Sequence, residues 1–243
     1  MSNSESLKVV LIGESGTGKT SIIQRYTYKL FDPNCVSSIT SQFISKTIEL
    51  KDIKKNLKFD IWDTAGQERY RSMTKIFYKD ANIILFVYDI TNYESFNELK
   101  NFWISEVKQN CDKEALYGVV SNKIDLYSFQ QVPKEEGMEL ADEIGGIFQA
   151  TSAQSGFGID SLFENIGRKY LDPKYDYKAA DKIAQDKYKQ KKEEEQIPKK
   201  EKEKPRGVKL LDETKKGKKK VVVIKYILKN ICYKYNYLFF LFS

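Results

Sequence analysis

The stretch GESGTGKT, residues 13–20, follows the short apolar run LKVVLI and precedes SIIQRYT. It fits the pattern G-x-x-x-x-G-K-[ST] and stands between a predicted strand and a predicted helix, the context in which that pattern has a mechanism. Gly13, Gly16 and Gly18 let backbone N–H groups wrap a polyphosphate, and the amino end of the following helix adds favourable potential. On this reading Glu14, Ser15, Gly16, Thr17 and Gly18 form the cradle. Lys19 reaches the β- and γ-phosphates, Thr20 offers a hydroxyl to a magnesium ion, and Ser21 completes the helix opening. A glycine-rich turn without a ligand is the alternative, and the flanking strand and helix weigh against it.

Moving outward, runs rich in β-branched and aromatic residues alternate with amphipathic stretches. LKVVLIG (7–13), ISKTIEL (44–50), LKFDIW (57–62), NIILFVYDI (82–90), YGVVSNKID (117–125) and GIFQATSA (146–153) read as strands. KDIKKN (51–56) reads as the connection of a hairpin between the second and third of these. TSIIQRYT (20–27), SFNELKNFWISEVKQN (95–110), PKEEGMELADEIG (133–145) and IDSLFENIGRKYL (159–171) read as helices. Such alternation predicts an α/β domain with a mostly parallel sheet covered on both faces, completed by one antiparallel edge.

Three further segments fall at predicted strand ends. In WDTAGQE (62–68), Asp63 is placed to hold magnesium through a water, the Gly66 N–H to meet a γ-phosphate, and Gln67 to orient an attacking water. Alone, this segment is an ordinary strand-to-turn transition; its place after a phosphate loop and a hairpin changes the reading. In SNKID (121–125), the Asp125 carboxylate has two acceptor oxygens suited to guanine N1–H and its 2-amino group, a donor pair that adenine lacks. Asn122 and Lys123 would brace the loop and cover the base, and backbone N–H groups at Ser152 and Ala153 in TSA would meet guanine O6.

These four segments, in this order, resemble the small GTPases of the Ras superfamily. Within it WDTAGQERYRSM and FYKDANIILFVYDIT are similar to the Rab family, regulators of vesicle traffic. The resemblance covers residues 7–171. It implies a six-stranded, doubly wound phosphate-loop domain that binds GTP and GDP with Mg2+ and hydrolyses GTP slowly. It also implies a guanine-nucleotide exchange factor, a GTPase-activating protein, Rab effectors and a GDP-dissociation inhibitor as partners. The implied location is cytoplasmic, cycling to the cytosolic face of an endomembrane. Phe31 matches the aromatic that packs on guanine, and Phe43, Trp62 and Phe77 match an effector-binding triad. Core packing is the plainer role for each of the three, and only the joint match favours recognition.

The resemblance also bears on SSITSQF (37–43). The family's switch hydroxyl stands 19 residues after the phosphate-loop lysine, a count that lands on Ser38, while Thr40 takes the place of a glycine. A two-residue slip would bring Thr40 to the metal instead. Serine keeps the ligating oxygen but lacks the methyl that stiffens χ1, so a looser switch is expected. Gln154 stands where the family has a lysine, which shortens one lid over the base; Ser15 matches ordinary Rab phosphate loops. A slowly cycling guanine-nucleotide-binding adaptor is the alternative that Ser38, Thr40 and Gln154 support, and intact Lys19, Asp63 and Gln67 speak against it.

Charge separates the domain from the carboxyl-terminal tail. Residues 1–171 carry a net −3 and the remainder +10, so the overall +7 belongs to the tail. With no basic, aromatic-interleaved stripe before residue 171, a nucleic-acid-binding domain is excluded. Residues 172–220 are rich in Lys and Glu and poor in large apolar side chains, a composition that predicts disorder. KKGKKK (215–220) would attract anionic lipid, giving a membrane surface as a further partner. The apolar, aromatic segment 221–243 is interrupted by Lys225, Lys229 and Lys234, and the chain ends YLFFLFS, without a prenylation cysteine. It reads as an interfacial anchor, a poorly inserted tail anchor or translated non-coding sequence, the last favoured because a lysine run directly before a lipidated cysteine end is common in the family it resembles. Cys35, Cys111 and Cys232 match no metal-ligand spacing, and no secretory signal opens the chain, so a reducing intracellular compartment is expected.

Overall fold

The computed structural model describes residues 6–34, 42–63, 77–111, 114–179 and 182. Its six strands are β1 (Ser6–Ile12), β2 (Gln42–Leu50), β3 (Lys55–Asp63), β4 (Ile83–Asp89), β5 (Leu116–Asn122) and β6 (Ile147–Ala150). They lie in one sheet in the order β2-β3-β1-β4-β5-β6. All neighbours run parallel except β2 and β3, the antiparallel edge. The expected six-stranded, doubly wound sheet is therefore present.

β1 sits centrally, with β3 on one side and β4 on the other, so the chain reverses its direction of growth across the sheet there. Ligands in open α/β sheets bind outside the carboxyl ends of strands at that reversal. The segment after β1 is the phosphate-loop sequence.

Strand alternation sorts the core into two layers. Leu7, Val9 and Leu11 face one side with Ile22, Ile23, Tyr26, Phe59, Phe163 and Ile166. Val10 and Ile12 face the other with Phe86, Tyr88, Phe96, Trp103 and Phe148. The first layer packs under α1 (Lys19–Tyr28) and a long helix at 159–171, and Tyr26 stacks on Phe163 with ring centroids 3.7 Å apart. Fully burying a side chain of this size contributes about 1.5–3 kcal/mol, so the two layers hold the sheet as a rigid platform.

The second layer packs under a helix with three parts: α2 (Tyr93–Glu98), a π-helical turn (Leu99–Trp103) and α3 (Ile104–Asn110). It begins two residues before the predicted start, because the Asn92 side chain caps it by accepting from the N–H groups of Glu94 and Ser95. The predicted uninterrupted α-helix is also corrected: the Ile104 N–H donates to the Leu99 carbonyl, five residues back. Two further helices are α4 (Lys134–Glu143) and α5 (Ile159–Leu171).

Several boundaries differ from the sequence reading; β6 stops at Ala150, so residues 151–153 lie in the loop after it. The hairpin turn occupies only residues 51–54, since antiparallel pairing runs on to Leu50 opposite Lys55 and needs no apolar alternation at an exposed end. β5 stops at Asn122, where Lys123 turns left-handed (φ 66) into the 3-10 helix Ile124–Phe129; Asp125 therefore lies on that helix. Past α5 the described chain folds back. Tyr177 joins the core, and Lys178 pairs with Asp142 at 2.9 Å. Among the described residues no helix is long and apolar enough to cross a membrane.

Candidate functional site

The phosphate-loop sequence leaves β1 through Gly13 and enters α1 through Gly18, both at positive φ (152 and 90). A Cβ at Gly13 would lie 2.1 Å from the Val87 carbonyl oxygen, so the loop must start at a residue without one. No side chain caps the amino end of α1, and no acidic residue stands in its first turn. Its leading N–H groups open on the loop, an arrangement suited to an anion.

Lys19 is buried and folds back over the loop, donating from Nζ to the carbonyl oxygens of Gly13 at 2.7 Å and Glu14 at 2.9 Å. Burial pushes its ammonium down to about 8 from the usual 10.5, with Asp63 and Glu14 opposing the shift. Thr17 donates its hydroxyl to the Glu14 carbonyl at 2.9 Å, which tightens the turn. Ser15, Gly16 and Ser21 lie in the same loop and first helical turn.

Asp63 closes β3 beside Leu11 of β1, and that register carries its carboxylate to the mouth of the loop. The Thr20 hydroxyl donates to Asp63 Oδ2 at 2.6 Å. Asp63 Oδ1 is buried with no protein hydrogen-bond partner. Burial raises the Asp63 carboxyl above the usual carboxylate range, against the Thr20 hydroxyl and the Lys19 charge. A dry carboxylate with an unmatched oxygen beside a hydroxyl suits a hard cation, which takes oxygen ligands and few protein groups. Among the described residues no cluster of three or more acidic, His or Cys side chains competes for such an ion.

The base-side segments converge on the same end of the sheet. Asn122, buried at the end of β5, donates from Nδ2 to the Thr17 carbonyl at 2.8 Å and accepts the Thr151 hydroxyl at 3.2 Å. It braces the phosphate loop from behind. Lys123 pairs with Asp89 Oδ2 at 2.6 Å, which anchors the turn to the end of β4. Asp125 accepts the Ser152 hydroxyl at 2.5 Å, and the Ser155 N–H donates to the same Ser152 oxygen at 3.0 Å. The carboxylate is thus held by the loop that was expected to face guanine O6.

Arg25, on α1, is the site residue that sequence reasoning missed. It donates from Nε to the Ala153 carbonyl at 2.6 Å and from Nη2 to the Gln154 carbonyl at 2.5 Å. Its guanidinium carbon also lies 5.9 Å from the Phe31 ring centroid. Two expected base contacts, Phe31 and the 151–154 loop, are therefore tied to one side chain. In the sequence Arg25 is one more polar position on an amphipathic helix, and nothing local marks it.

Phe43 and Trp62 face each other across the antiparallel pair, with ring centroids 5.0 Å apart, and Trp62 lies 6.1 Å from Phe77. Phe43 is exposed, while Trp62 and Phe77 are half-buried against the second core layer. The three aromatics form one continuous row that is part surface and part core. Ser38, Thr40, Gly66 and Gln67 lie outside the described residues, as do Cys35, Cys232 and the segments 183–220 and 221–243.

Comparison with known proteins agrees with this geometry. A profile described as Ras family matches residues 8–172. The chain is 39% identical over 163 residues to the Ras-related protein Rab-22A of Homo sapiens, covering 67% of this chain and 82% of the relative. It is 38% identical over 169 residues to Rab-31 of Rattus norvegicus, covering 69% and 85%. Against Rab-8B of Pongo abelii the identity is 40% over 164 residues, covering 68% and 78%. The chain belongs to the Ras family as a Rab-type small GTPase, an enzyme that binds guanine nucleotide and hydrolyses GTP to GDP and phosphate.

Proposed function

We propose that this GTPase is a switch for membrane traffic that alternates between GTP- and GDP-bound forms at the cytosolic face of an endomembrane. The Rab-named relatives support the traffic role. The observation that supports the residue assignment most is the meeting of Lys19, Thr20, Asp63 and the Asn122 brace at one mouth of the sheet. In this reading the 13–20 loop and the amino end of α1 bind the phosphates. Lys19 exchanges its two carbonyl partners for phosphate oxygens and stabilises the charge that develops on them.

Asp125 selects guanine, while Asn122 and Lys123 hold the turn that presents it. Ser152 and Ala153 close the far side of the base, with Phe31 on its face. Thr20 and Ser38, with Asp63 acting through water, would hold Mg2+, which supplies charge neutralisation on the phosphate oxygens when bound. Gly66 contacts the γ-phosphate, and Gln67 orients the attacking water. Phe43, Trp62 and Phe77 present the surface on which effectors distinguish the two forms. An exchange factor, an activating protein and a GDP-dissociation inhibitor complete the cycle, and the basic run at 215–220 meets the membrane surface.

Single-turnover hydrolysis tests the assignment. Gln67→Leu should retain GTP binding and lose most of the turnover, with and without an activating protein; unaltered hydrolysis would remove Gln67 from its role. A wild-type rate that no activating protein accelerates would favour the slowly cycling adaptor instead. Competition by GDP but not ADP tests the part assigned to Asp125.

A further inference from the structure

The π-helical turn between α2 and α3 is a feature that nucleotide binding as described does not use. The backbone stays helical through it, with φ/ψ of −63/−34 at Glu98 and −66/−45 at Ile104. The helix is therefore continuous and holds one residue more than α geometry would allow. An extra residue shifts everything after it by about 100° around the axis relative to an uninterrupted α-helix. Single π turns of this kind recur at functional positions.

Trp103 is the last residue of the turn. Its ring is buried, and a buried indole N–H needs an acceptor. It donates to Glu14 Oε1 at 3.0 Å, from the helix to the first side chain of the phosphate loop. The main chain of the same Glu14 accepts both the Lys19 ammonium and the Thr17 hydroxyl at 2.9 Å. By fixing Glu14, Trp103 also fixes the resting place of the phosphate-binding lysine. Phe102 packs edge-on against Trp103, with ring centroids 5.0 Å apart.

We propose that Trp103, at the end of the π turn and acting through Glu14, is a positioning residue that sets how long the phosphate loop retains guanine nucleotide. The hydrogen bond couples helix and loop, so removing either partner loosens the cradle by the same route. A hydrogen bond to a charged acceptor is worth enough to change a release rate about tenfold.

The test is the release rate of a fluorescent GDP from the full chain, measured for wild type, Trp103→Phe, Glu14→Ala and the double variant. Each single change should speed release about tenfold, and the double should be no faster than the faster single. Val107→Ala, which removes a core contact from the same helix without touching Glu14, should lower the melting temperature and leave release unchanged. Single variants that release at the wild-type rate would overturn the proposal. So would a double variant whose effect is the product of the singles, or a Val107→Ala protein that releases as fast as Trp103→Phe. The proposal rests on the 13–20 loop binding the nucleotide phosphates. A wild type that fails to bind the GDP probe would sink that reading, whereas the outcomes above sink only the role of Trp103.

Discussion

Asn122 Nδ2 donates to the Thr17 carbonyl oxygen at 2.8 Å, joining the end of β5 to the phosphate loop across 105 residues of sequence. Both residues are buried, so this amide ties the turn after β5 and the 13–20 loop into one unit. Asn122→Asp should cost about 1–3 kcal/mol of stability, because the Thr17 carbonyl loses its donor and faces a carboxylate oxygen instead. A thermal melt of the nucleotide-free protein checks this. GDP affinity should fall with it, and a variant that melts and binds like wild type would show the brace to be idle.

Gly18 lies directly against that amide. A Cβ there would stand 2.3 Å from Asn122 Nδ2, at a φ of +90 that costs an L-residue roughly 1–2 kcal/mol. Gly18→Ala should therefore push Asn122 off Thr17 and weaken GDP binding at least as much as Asn122→Asp. Equilibrium titration with GDP measures it.

The Lys19 ammonium titrates near 8 when buried, against 10.5 when solvated. Below about pH 8 both folded and unfolded chains carry the proton, and the burial penalty on the charge is fully present. As pH rises from 8 toward 10.5 the unfolded chain binds more protons, so this group's contribution raises stability with pH. Phosphates beside Lys19 restore its charge, so GDP binding near pH 9 should take up protons. Binding enthalpy at that pH should vary with the ionisation heat of the buffer; identical enthalpies in two such buffers would contradict the assignment.

Arg25 holds the Ala153 and Gln154 carbonyls and flanks Phe31. Arg25→Ala should free both sides of the base pocket and raise the GDP release rate by about three- to tenfold, while the phosphate-loop contacts of Lys19 stay in place. Stopped-flow release kinetics would show it. No change would mean that the loop and Phe31 hold their positions without the guanidinium.

The local pattern of the chain determined a great deal. Strand and helix alternation placed the six strands, and four short segments carried the family resemblance, because a phosphate-loop pattern is a run of neighbouring residues. Asp125 was singled out for a similar reason, since one carboxylate offers the two acceptors proposed to read guanine. What the tertiary structure alone decided is the support behind those segments. Trp103 reaches Glu14 across 89 residues, Asn122 reaches Thr17 across 105, and Arg25 reaches Ala153 across 128. Trp103 and Arg25 are unremarked positions in their own helices, and Asn122, expected to brace its loop, gave no sign that its partner would be the Thr17 carbonyl. The π turn that ends at Trp103 is likewise invisible locally, because the buried positions 96, 99, 103 and 107 satisfy ordinary α-helical periodicity. Sequence periodicity reports which face of an element is buried; which buried donor meets which distant carbonyl depends on how the sheet brings its strand ends together.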